Sequence, residues 1–126
     1  MANPNIVSVT NIYGKTVGAA LTTSSADILT NTAASGKVFK VNSVYVSNVD
    51  GTNNATVDVT FYDASATTSY YLADVIVVPA ASTLVIVSKE SFIYLEEGDK
   101  IAALASANND LQIIISYEEI YWWTVV

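Results

Sequence analysis

Apolar and polar residues alternate along most of this chain. In ATVDVTFYD (55–63), Val57, Val59 and Phe61 share one parity, and Asp58, Thr60 and Tyr62 share the other. LQIIISY (111–117) repeats the pattern with Leu111, Ile113, Ile115 and Tyr117. Period two marks antiparallel strands with one face buried. In KVFKVNSVYV (37–46), Phe39 and Val41 lie on one parity and Val44 and Val46 on the other. A β-bulge near Asn42 and Ser43 accounts for that change of phase. TLVIV (83–87) is apolar on both parities and predicts a central strand covered on both faces. Together these runs predict about seven to nine strands, near 17–22, 38–48, 55–63, 70–78, 83–89, 92–95, 100–105 and 111–118. Residues 23–36 fit either a short strand around Ile28 or an irregular loop. No segment has helical amphipathicity.

Turn chemistry falls between the runs. VDGTNN (49–54) contains Asp-Gly between two strands, which predicts a hairpin. Pro79 lacks an N–H and should end its strand. LEEGDK places Gly98 where a positive φ is expected, and SANND (106–110) is a further polar turn. Short, regularly spaced strands with no linker and no repeat predict one all-β domain. The expected fold is an antiparallel β-sandwich, jelly-roll-like, with an immunoglobulin-like order as the alternative.

The end of the chain, YEEIYWWTVV, departs from this pattern. A strand running from Leu111 to Val126 would exceed the usual length of about three to ten residues. A break near Glu118 and Glu119 is therefore expected. The sandwich is assigned to residues 1–118 and an extended C-terminal arm to 119–126. Tyr121, Trp122, Trp123, Val125 and Val126 are the candidate interface residues, because tryptophan and tyrosine are enriched in interface hot spots. The alternative folds the same residues back over the core as a last strand.

Composition narrows the chemistry. The 126 residues include five lysines and twelve carboxylates, a net charge of −7, with no arginine, histidine or cysteine. Disulfides, thiolate nucleophiles, histidine bases and bidentate phosphate clamps are thereby excluded. An acidic chain with scattered lysines is a poor partner for nucleic acid. No run of about twenty apolar residues suggests a membrane helix. The start MANPNIVSVT has no secretory pattern, so the sequon at Asn54 is read as accidental. Only 13% of residues are charged, low for a small monomer, as expected if partners cover much of the surface.

No catalytic, cofactor-binding or metal-ligating residue is assigned. Glu96, Glu97 and Asp99 share a turn, but calcium needs about six to eight converging oxygens, and a solvated turn is the preferred reading. DGTNN (50–54) lacks the acidic spacing of a calcium loop. Glu118 and Glu119 are adjacent and so face opposite sides of a strand. Asp74, inside YLADVIVV, is read as an exposed or edge-strand charge. Ser88-Lys89 and Ser35-Gly36-Lys37 are too common a spacing to mark a nucleophile. No Gly-rich phosphate loop is present, and no enzyme is expected. The eight tyrosines suit strands, although exposed ones could stack on sugar rings. Tyr62 is the best candidate for that, since its parity opposes Val57, Val59 and Phe61.

The stretches GKVFKVNSVYVSNVDG (36–51), VPAASTLVIVSKESFIYLEEGDKI (78–101) and LQIIISYEEI (111–120) resemble small virion structural proteins of tailed bacteriophages, cyanophages especially. The resemblance runs over residues 5–120, with anchors at Val38–Gly51, Pro79–Lys100 and Ser116–Ile120. It implies a β-sandwich or jelly-roll domain that decorates the head or sits at the neck, tail or fibres. It transfers no functional residue. The expected function is a non-enzymatic capsid decoration or cement protein. Its expected partners are the major capsid protein or other virion proteins and copies of itself, with neither nucleic acid nor membrane. Its expected location is the virion, assembled in the host cytoplasm. The alternatives are a neck, tail or fibre component and, from another class, a carbohydrate-binding module.

Overall fold

The computed structural model describes residues 11–121. Nine strands form among them: β1 Asn11–Ala20, β2 Ala26–Thr30, β3 Lys37–Asn48, β4 Ala55–Asp63, β5 Thr68–Val78, β6 Thr83–Val87, β7 Ile93–Leu95, β8 Lys100–Ala105 and β9 Leu111–Tyr121. One sheet has the order β1-β9-β3-β6, with β7 also beside β3, and the other has the order β2-β8-β4-β5. Every pairing is antiparallel. The pairing is nested: the first strand lies beside the last and the second beside the next to last.

Alternation does the folding work. Val57 and Val59 of β4, Ile101 of β8, Val44 and Val46 of β3, and Ile113 and Ile115 of β9 are fully buried between the sheets. Each such side chain contributes about 1.5–3 kcal/mol relative to leaving it in water. The bulge in β3 sits where the phase change predicts it. Val41 pairs with Tyr117 and Ser43 with Ser116, leaving Asn42 as the extra residue. β6 and β7 act as one interrupted edge strand. β6 pairs with Val44–Ser47 of β3 and β7 with Phe39–Val41, and a 3-10 turn, Lys89–Ser91, separates the two. β5 ends at Val78, immediately before Pro79, and Gly98 has φ +89°. A Cβ at Gly98 would stand 2.8 Å from the Cβ of Ala64.

Four expectations are corrected. TLVIV forms an edge strand rather than a central one, and Val85 is 52% exposed. Its two-sided apolar pattern reflects an uncovered outer face. The turn at 49–54 is no hairpin, because β3 and β4 belong to different sheets. Turn chemistry is local and fixes a change of direction, not which strand comes next to which. β1 covers Asn11–Ala20 rather than beginning at 17, while residues 26–30 form β2, the short strand around Ile28 that is one of the two readings of that segment. Finally, no break occurs at Glu118 and Glu119. β9 runs unbroken to Tyr121, paired with Asn11 of β1 and Lys37 of β3. Residues 119–121 therefore belong to the sandwich. Trp122, Trp123, Val125 and Val126 lie outside the described residues.

The contrast between centre and edge is measurable. Ile115→Ala in β9 is expected to lose about 2–5 kcal/mol of unfolding free energy. Val85→Ala on β6 should change it by less than about 0.5 kcal/mol. Urea unfolding of both variants checks this, and equal losses would contradict an edge position for β6.

Candidate functional site

At one end of the sandwich the inward parity of β9 continues past Tyr117 to Glu119. This carboxylate is only 4% exposed. Lys15 of β1 reaches Oε1 at 3.1 Å, and Lys37 of β3 reaches Oε2 at 3.4 Å. The Tyr121 hydroxyl donates to Oε1 at 3.1 Å. Aromatic rings enclose the group. The Lys37 ammonium sits 5.3 Å from the ring centres of both Phe39 and Tyr121. Tyr13 meets Tyr121 edge-to-face at 5.6 Å, and Phe39 packs on Tyr117 at 5.1 Å. Burial pushes the Glu119 carboxyl up, but the Lys15 hydrogen bond, the Lys37 charge and the Tyr121 hydroxyl outweigh it and hold the carboxyl below its ordinary value of 4.5. The hydrogen bond to Glu119, with its charge, raises Lys15 in turn. Both carboxylate oxygens are paired, Oε1 with Lys15 and the Tyr121 phenol and Oε2 with Lys37, so the group serves as an ionic clasp between β1, β3 and β9.

The other sequence candidates separate into structural roles. Asp99 is 2% exposed and accepts the N–H groups of Ala64 and Glu96, each at 2.9 Å. Burial nevertheless raises its pKa. Glu97 Oε2 accepts the Gly36 N–H at 2.9 Å. Asp50 accepts from the N–H groups of Thr52 and Asn53 and from the Asn53 amide, which lowers its pKa. These carboxylates cap turns. Among the described residues no group of three or more acidic, histidine or cysteine side chains is arranged to hold a metal. The Ser88 hydroxyl pairs with Ser91 and the Ser35 hydroxyl with Asn31. Asn31 itself is fully buried and donates to the carbonyls of Lys37 and Leu95. Asp74 is exposed on edge strand β5.

The outer face of the five-stranded sheet is different in character. Gly18, Ile114, Tyr45 and Val85 stand in one register row across β1, β9, β3 and β6. Ile114, Tyr45 and Val85 are exposed, as are Ile12, Phe92 and Tyr94 on the same face. Lys40 and Glu118 are the charged strand residues there. Lys40 lies 4.5 Å over the Phe92 ring, and Glu118 accepts from Asn42 at 2.9 Å. Sequence reasoning missed this face because it treated 83–87 as covered. It missed Glu119 because it ended the alternation at Tyr117, two residues short. Of the candidate interface residues, Tyr121 is half-buried in the clasp. Tyr62 is half-buried beneath Lys100, 5.2 Å from its ring centre, and Tyr70 and Tyr71 are the more exposed tyrosines.

No protein-family model matches the sequence, and no curated protein does. The fold is similar to that of a chain in the solved Bacillus endospore appendages, described as a novel family of disulfide-linked pili. The TM-score is 0.52 with 17% identity over 88% of each chain. At that identity the likeness is one of fold. Among the described residues no helix is long and apolar enough to cross a membrane.

Glu119→Gln keeps the shape and removes the charge. It is expected to cost about 1–3 kcal/mol at pH 7, the range for hydrogen bonds to a buried charged group. The loss is kept moderate because Lys15 is half exposed and can return to water. The folded-state pKa is depressed, so the stabilisation is present above the ordinary value of 4.5 and is lost as pH falls through the folded value. Denaturant unfolding at pH 7 and pH 3 should show the gap between wild type and variant narrowing in acid. A gap independent of pH would refute the clasp.

Proposed function

We propose that this chain is a non-enzymatic structural subunit of a virion, a decoration or cement protein that docks through the outer face of its five-stranded sheet. The observation that carries this reading is the exposed apolar row of Ile114, Tyr45 and Val85, extended by Ile12, Phe92 and Tyr94. Soluble monomers seldom leave this many large apolar side chains exposed on one sheet face. The face mixes aromatic anchors with few charges, the composition of an interface centre. The nested strand order supports a jelly roll rather than an immunoglobulin-like sandwich, an architecture used by viral capsid and lectin domains. The phage-like stretches at 36–51, 78–101 and 111–120 point the same way. Repeated copies on a shell would add up through multivalency even if each contact is weak.

A fibre role is the second reading, and the fold likeness to a pilus protein favours it. This chain has no cysteine, so a filament built from it would have to hold by non-covalent contacts.

Copy number separates the two. Quantitative mass spectrometry of purified particles should find this chain at a level close to the major capsid protein. A scarcity like that of a portal would move it to the neck, tail or fibres. Ile114→Asp and Tyr45→Asp should each reduce particle binding at least tenfold (about 1.4 kcal/mol or more) with the unfolding midpoint little changed. Binding that survives both substitutions would remove this face from the interface.

A further inference from the structure

The opposite sheet carries a groove that the assembly reading leaves unused. It lies on the outer face of β2, β8, β4 and β5, encloses about 290 Å³ and is lined in part by Ser25, Asp58, Thr60, Ser69, Tyr71 and Ala102. Asp27, Ala102, Thr60 and Tyr71 form one register row across all four strands. Lys100, Tyr62 and Ser69 form the next. The small side chain of Ala102 makes the low point, and Tyr71 makes one wall with 61% of its surface exposed.

The backbone is bent to produce this wall. Val59 pairs with Ala73, but the adjacent Thr60 pairs with Tyr71, so Leu72 is an extra residue in β5. Leu72 packs against the core. Without the bulge, simple alternation would turn Tyr71 inward; with it, the ring stands on the outer face. A second irregularity follows at once. Asp74 and Val75 both fall opposite Asp58, between the pairs Val57–Ile76 and Val59–Ala73. Val75 adopts φ +50°, a left-handed conformation that a β-branched residue rarely takes. Its N–H donates to Asp58 Oδ1 at 2.7 Å. Bulges re-aim side chains next to functional sites, and strain of this kind persists where the surroundings enforce it. Both irregularities act on groove residues, one turning Tyr71 outward and the other fixing Asp58.

We infer that this groove binds a neutral saccharide. A pyranose ring presents one face of C–H groups and a rim of hydroxyls. The Tyr71 ring offers the flat, electron-rich face that such C–H groups pack against. Asp58 has one oxygen anchored by Val75 and the other available to accept sugar hydroxyls. Thr60 and Ser69 add hydroxyls that donate or accept. The volume lies just below the usual range of ligand pockets, which suits one or two sugar rings in an open groove. Charge selects the class. Lys100 is committed to Asp27 at 3.2 Å and to the Tyr62 ring, while Asp58 adds negative charge to a chain at −7. Sialylated or uronic glycans would meet no free cation among the lining residues.

The test uses the labelled full chain on an array of neutral, sialylated and uronic oligosaccharides, with Tyr71→Ala, Asp58→Asn and Tyr45→Ala variants. Wild type is expected to bind a subset of the neutral glycans and none of the acidic ones. Tyr71→Ala should weaken that binding about tenfold. Asp58→Asn retains an acceptor for the Val75 N–H, so it should keep the unfolding midpoint while weakening binding several-fold. Tyr45→Ala, on the other sheet, should bind as wild type. Absence of neutral binding, preference for acidic glycans, or a Tyr71→Ala variant within twofold of wild type would each overturn the inference. Because the groove and the apolar face lie on opposite sheets, failure here leaves the assembly reading standing, and failure of assembly leaves this one standing.

Discussion

The sandwich depends on β9 being held on both edges. It is the last of the described strands, yet it lies between β1 and β3 and keeps register with both over nearly its whole length. Such a strand has no free backbone side, so its inward side chains must all be satisfied within the protein. Leu111, Ile113 and Ile115 meet this condition by burial. Glu119 meets it by charge, because Lys15 comes from one neighbour and Lys37 from the other. The clasp thus ties together β1, β9 and β3, three neighbouring strands of the sheet. A buried ion pair is a poor source of net stability compared with an apolar substitute. Its value here is geometric: a register slip of one residue in β9 would turn Glu119 away from both lysines and every apolar partner away from the core.

What could be read from the chain followed from period two. The strand at 55–63, the strand at 100–105, the bulge at Asn42 and the positive φ at Gly98 were all legible, because each is set by a local steric or hydrophobic rule. The sheet to which each strand belongs was not legible. Asp50 builds its turn from its own neighbours' N–H groups, and the same turn serves a hairpin or a crossing between sheets. The edge position of β6 was hidden for a related reason. Apolar residues on both parities mean burial on both faces only if something covers the outer one, and the pattern within one strand does not say whether anything does.

Polar signals misled in both directions. The pair Glu118 and Glu119 reads as a strand end, yet one carboxylate faces outward to Asn42 and the other inward to two lysines. The acidic turn at 96–99 reads as a solvated loop, yet Asp99 is buried and caps two backbone N–H groups. In each case a carboxylate that composition assigns to water is held by hydrogen bonds or ion pairs, most of them from residues distant in sequence. The tyrosines show the converse. Parity marks Tyr62 as exposed, but Lys100 covers it, and the bulge at Leu72 places Tyr71 on the surface in its stead. Alternation cannot anticipate a residue that steps out of register.

The two sheets then divide the surface by chemistry. The outer face of the five-stranded sheet sets an exposed row of Ile114, Tyr45 and Val85 between hydroxyl and amide rows and carries few charges, which suits a protein contact made by excluding water. The outer face of the four-stranded sheet carries carboxylates, hydroxyls and an aromatic wall, at the cost of a left-handed valine at position 75. Gly or Asn would adopt the same backbone more easily. The Val75 N–H holds Asp58 beside the outward Tyr71, the arrangement that the proposed saccharide groove would use. A shell-bound subunit with one face buried against its neighbours would present the other to the medium, and a sugar-binding groove on that exposed side is compatible with the same orientation.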